Sequence, residues 1–151
     1  MSRRRKISAT LQQQVRQRAL FLCEYCHASE QWQYVRFTVD HVVPLALGGD
    51  QSLDNLALAC FHCNRRKADS LVALDPHSLE QTPLFSPRQH RWSDHFAWSA
   101  DGLRILGLTA TGRATVAALA LNRERIIGIR AADQIAGRHP PPQDPIQPDA
   151  P

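Results

Sequence analysis

A chain of 151 residues with a net charge of +4 and 43% hydrophobic residues is the size of one domain and supports a modest core. No apolar run of about 18 residues is present, which excludes a membrane-spanning helix. The basic N-terminus MSRRRKISATLQQQ has no apolar stretch behind it, so it does not read as a secretory signal. A cytoplasmic, reducing setting is therefore expected, where four cysteines are better explained by metal than by disulfides.

Residues 1–22 read as a basic arm followed by a helix. Arg3, Arg4, Arg5 and Lys6 open the chain, Ser8 or Thr10 can cap, and Leu11, Val15, Ala19 and Leu22 recur at helical spacing as far as Cys23. Residues 23–75 form the next unit. Residues 35–39 (VRFTV) have the alternation of a strand that ends near Asp40-His41, and Pro44 with Gly48-Gly49 predicts a loop over 44–54. Residues 55–59 are short and apolar, as in a returning strand, and the stretch from Phe61 predicts a helix ending near Asp75-Pro76.

Residues 76–138 predict a wrap that packs Phe85, Trp92, Phe96 and Trp98 against the core. A short strand follows at 105–108, then one or two helices broken near Leu121-Asn122. Base stacking by Trp92 and Trp98 is the alternative to packing. His77, His90 and His95 show no ligand spacing. Residues 109–113 offer a second surface for DNA. Residues 139–151 hold six of the ten prolines and predict a disordered tail.

Cys23 and Cys26 form one C-x-x-C turn, and Cys60 and Cys63 form a second. Two such turns supply the two edges of a thiolate tetrahedron for Zn²⁺, and four thiolates leave no open position for water. The expected zinc is structural. A redox pair or buried free thiols are the alternatives. Arg65, Arg66 and Lys67 follow the last cysteine as candidate phosphate contacts, with a merely solvated basic face as the other reading.

Asp40, His41, Asn55 and Asn64 lie between and beside these turns. A neutral imidazole can take a proton from water, and oxygen donors suit a hard cation of the Mg²⁺ kind. Neighbouring residues of a strand face opposite ways, so Asp40 and His41 can share a site only if the chain bends there. The series C-x-x-C, Asp-His-x-x-Pro, Gly-Gly, Asn-Leu, C-x-x-C-Asn-x-x-Lys resembles the HNH endonuclease family, with Asn64 where many members carry histidine.

The resemblance implies an α+β protein whose core is a small ββα-metal (His-Me finger) nuclease unit, stapled by the four-cysteine zinc and flanked by helices. It implies His41 as general base, Asp40 and Asn64 as ligands of a catalytic Mg²⁺ or Mn²⁺, and Asn55 as the brace of the histidine loop. The expected activity is hydrolysis of phosphodiester bonds in nucleic acid, most simply DNA. A non-catalytic zinc module that binds nucleic acid is the alternative.

Overall fold

The computed structural model describes residues 6–145. Arg3, Arg4 and Arg5 of the expected basic arm, and residues 146–151 of the expected tail, lie outside them. No helix among the described residues is long and apolar enough to cross a membrane.

Helix α1 spans Ala9–Arg18, and the Ser8 side chain accepts from the Leu11 amide, which satisfies one of the first-turn donors. The helix stops short of Cys23. Leu20 and Phe21 take left-handed backbone (φ 56° and 61°), which turns the chain so that Leu22 is buried and bridges to Ser29. At the last turn of the helix the Arg18 guanidinium donates to the carbonyls of Leu53 (2.9 Å) and Leu56 (2.6 Å). Arg16 is buried too, bonded to the Phe37 carbonyl and paired with Glu30. Arg16 and Arg18 thus clamp the helix to the unit that follows.

Strand β1 covers Thr38–His41 and pairs antiparallel with β2, Leu56–Ala59, in the register Asp40 opposite Ala57 and His41 opposite Leu56. The expected strand lay three residues earlier. Its partner decides the matter: β2 has only four residues, so Val35 is left exposed despite its β-branched side chain. Helix α2, Phe61–Lys67, then packs across both strands, giving a ββα unit. It ends at Lys67, eight residues before Asp75, because the chain turns at Ala68 (φ 46°) to enter a hairpin of β3 (Val72–Leu74) and β4 (Gln81–Pro83).

The wrap follows as α3 (Trp92–His95), β5 (Phe96–Trp98) paired with β6 (Ile105–Gly107), α4 (Ala110–Ala118) and α5 (Glu124–Ile135). The break between the last two helices falls around Leu121-Asn122, as the sequence suggested. Phe85, Trp92 and Phe96 enter one core with Tyr25, Leu56, Leu58 and the four cysteines, and Trp98 packs against it. The indole N–H of Trp92 donates to the Tyr25 carbonyl at 2.9 Å. Trp92 is therefore a packing residue and not a base-stacking one. The chain beyond α5 differs from a free tail over residues 139–145: His139 bonds the Gly102 carbonyl, Asp144 approaches His27 at 3.4 Å, and Pro145 is buried.

Candidate active site

The ends of the finger unit carry two different sites. At one end the four sulfurs of Cys23, Cys26, Cys60 and Cys63 lie within 4.8 Å of one another, all buried. A tetrahedron with Zn–S arms near 2.3 Å has edges of about 3.8 Å, and the Cys26 and Cys60 sulfurs are 3.8 Å apart. Each turn also points an amide at its first sulfur, Cys26 N–H to Cys23 Sγ (3.5 Å) and Cys63 N–H to Cys60 Sγ (3.4 Å). Cys60 doubles as the N-cap of α2, so sulfur position and helix start are one feature. The donor set and spacing fit a structural zinc ion.

Glu24, inside the first turn, ties this end to the sheet. Its amide donates to the Leu58 carbonyl and its carboxylate accepts from the Leu58 amide, both at 2.8 Å. Burial raises its pKa, opposed first by the Arg88 guanidinium with which it is paired. Nothing in the C-x-x-C pattern signals this residue, since the x positions are usually exposed.

At the other end Asp40, His41 and Asn64 line one cleft of about 510 Å³, together with Lys6, Gln12, Thr38 and Ala68. No bend separates the two: Asp40 and His41 are consecutive residues of β1, both border the cleft, and the chain bends after them at Val42 and Val43. His41 is largely buried, with Nε2 3.3 Å from Gln51 Oε1. Asp40 is also largely buried, its Oδ2 3.2 Å from the Lys67 ammonium. Asn64 sits in the middle of α2, half-buried, facing the same cleft.

Asn55 is placed by the turn before β2 and does not line the cleft. Its side chain closes the loop after His41 instead: Oδ1 accepts from the Val43 amide (2.9 Å), and Nδ2 donates to the carbonyls of Val43 (2.9 Å) and Asp50 (2.8 Å). The two glycines serve the same closure. Gly48 takes φ 95° to end the turn at 45–47, and a Cβ on Gly49 would lie 1.8 Å from the Val43 carbonyl oxygen. Asn55 thus ties the loop that follows His41 through three hydrogen bonds.

Among the basic trio, Arg65 and Arg66 are exposed, Arg66 also donating to the Ala118 carbonyl. Lys67 is different. It is 2% exposed and turned inward against Asp40, so the expectation of a phosphate contact is corrected for this residue: the ion pair outcompetes solvent. Gln51 and Lys67 are the cleft-end residues whose roles the sequence reading missed. The fixed spacing of Lys67 after Cys63 was a signal; for Gln51 there was none. His62 points away and bonds the Leu119 carbonyl at 2.9 Å.

Residues 23–70 match the family model described as HNH endonuclease. That stretch, about a third of the chain, holds both sites and the whole ββα unit, so the similarity falls on the finger. No curated protein and no solved structure matches the chain.

Proposed function

We propose that the protein is a divalent-cation-dependent endonuclease that hydrolyses DNA phosphodiester bonds at the cleft. The observation that carries this reading is the convergence of Asp40, His41 and Asn64 on one cleft, at the end of the finger opposite a closed thiolate site. His41 takes a proton from the attacking water, and Gln51 Oε1 beside Nε2 steers which ring nitrogen carries the resting proton. Asp40 and Asn64 are the oxygen donors that would hold Mg²⁺ or Mn²⁺, whose chemistry is to neutralise charge on the phosphoryl oxygens and the leaving oxygen. The bond broken is that to the 3′-oxygen, which leaves 5′-phosphate and 3′-hydroxyl ends. Asn55 holds the loop that keeps His41 on the cleft. Arg65 and Arg66 are the exposed cations nearest in sequence to Asn64, available to flanking phosphates. A reducing compartment such as the cytoplasm would keep the four thiols in their metal-binding form.

The test is nicking of supercoiled plasmid with Mg²⁺ or Mn²⁺. The wild type is expected to nick, EDTA to abolish it, and His41→Ala to lose about 10²- to 10⁴-fold, the usual worth of a general base. Equal rates for wild type and variant would remove His41 from the chemistry. Tight DNA binding with no cleavage under any divalent ion would favour the binding module instead.

A further inference from the structure

The Lys67 side chain runs from the last residue of α2 into the finger, where its ammonium meets oxygens from three places. Asp40 Oδ2 is 3.2 Å away, the His41 carbonyl 3.4 Å and the Ala68 carbonyl 3.5 Å. Ala68 itself takes φ 46°, a conformation that costs a non-glycine residue strain. A lysine this buried is uncommon unless paired. Here its partner is a carboxylate on the cleft, and its backbone neighbour is the candidate base. Charge and enclosure both act on one atom, the Lys67 Nζ.

We propose that Lys67 is a positioning residue, a built-in counter-ion for Asp40 that a divalent cation must share or displace. The inference rests on the proposed cation site, and it assigns Lys67 a function separate from nucleic-acid contact. Without a cation, the ammonium 3.2 Å from Oδ2 holds the Asp40 carboxylate in place, so the site does not collapse. The same positive charge opposes an incoming cation, so Lys67 weakens cation binding while preserving the shape of the site. An uncharged side chain of similar length reverses the balance: cation affinity rises, and the cation-free protein loses stability.

Binding of Mn²⁺ to the zinc-loaded full chain, followed by the EPR signal of free Mn²⁺, reads this directly. Lys67→Met is expected to bind Mn²⁺ about tenfold more tightly than wild type, because a unit positive charge a few Å away is removed. Asp40→Asn is expected to abolish binding. Saturating Mn²⁺ should raise the melting temperature of Lys67→Met more than that of wild type. Equal or weaker Mn²⁺ binding in Lys67→Met overturns the proposal and leaves a purely structural lysine. If that variant does not fold, Lys67→Gln, which keeps hydrogen-bond donors but no charge, is read by the same criteria. In wild type, the ¹⁵Nζ resonance of Lys67 should shift on Mg²⁺ addition and stay still in Asp40→Asn; an unmoved wild-type resonance also overturns the proposal. Plasmid nicking by wild type against His41→Ala is scored separately, so loss of the nuclease reading and loss of the lysine's role are distinguishable.

Discussion

The finger over residues 23–70 and the wrap that follows it are built on different principles. In the finger, buried polar groups answer one another: four thiols, the Asp40–Lys67 pair, and the Asn55 brace. In the wrap, aromatic rings pack on one another, with the Phe96 ring centroid 5.2 Å from that of Phe85 and 5.1 Å from that of Trp92. The contacts between the two regions are mostly wrap reaching back to finger. Trp92 bonds the Tyr25 carbonyl, Arg88 pairs with Glu24, and the Leu119 carbonyl receives His62. The lesson is a division of labour: the finger holds donors in fixed places on an apolar base of Tyr25, Phe37, Leu56 and Leu58, and the wrap completes that core with its rings and with Ile105, Leu119 and Leu121.

The largest expected break is at the thiolates. Cys60→Ser removes a thiolate ligand while leaving a hydroxyl that can still cap α2, so the metal is what the change tests. Zinc binding in small domains is worth on the order of 10 kcal/mol, comparable with the whole stability of a domain of this size. The variant is expected to lose bound zinc and the cooperative unfolding of the finger, measured by metal analysis alongside circular dichroism melting. A zinc-free variant with an unchanged melt would make the cysteines ordinary core residues. The wrap would then hold the fold without the metal.

A smaller break tests whether the finger's loop is held by Asn55 alone. Asn55→Ala deletes three hydrogen bonds to Val43 and Asp50. At a net ~0.5–1.5 kcal/mol each, the expected loss is about 1.5–4.5 kcal/mol. Zinc content should be unchanged. Nicking should fall with it, since the loop directly follows His41. Urea melts report the first effect and the plasmid assay the second. A variant that loses activity at full stability would mean that Asn55 acts on the substrate side and not as a brace.

The finger was readable in the sequence because its chemistry requires rare residues at fixed intervals. Cys23, Cys26, Cys60 and Cys63, the pair Asp40-His41 and the pair Gly48-Gly49 each have few substitutes at their positions. The boundaries were less readable. Residues 35–37 have strand-like side chains but no partner strand, and pairing is a tertiary fact. Arg16, Arg18 and Lys67 look like surface cations in one dimension, yet each is drawn inward by an oxygen far away in sequence: Phe37 and Glu30, Leu53 and Leu56, or Asp40. Nothing local marks a cation that will be buried. The same holds for the wrap, where residues 81–83 gave no strand signal and pair only because β3 lies alongside.

The smallest expected effect lies in the wrap, at Asp75. Its carboxylate closes the β3–β4 hairpin through the amides of His77 and Ser78, and takes two bonds from Arg113 of α4, at 3.0 and 2.8 Å. The Arg113 guanidinium, first among the causes, holds the Asp75 carboxyl below the usual aspartate range, with the two amides adding to it. A carboxyl depressed on folding stabilises the fold at pH above its unfolded value, near 3.8, and that contribution fades as pH falls through the folded value. Wild type should therefore lose stability from about pH 4 downward faster than Asp75→Asn. The two melting curves should lie apart at pH 7 and converge in acid. Because Asp75 touches neither the thiolates nor the cleft, zinc content and nicking at neutral pH should be unchanged. Parallel curves at every pH would mean that the pair contributes shape and not charge, and a loss of nicking would show that the hairpin and the cleft are coupled through α2.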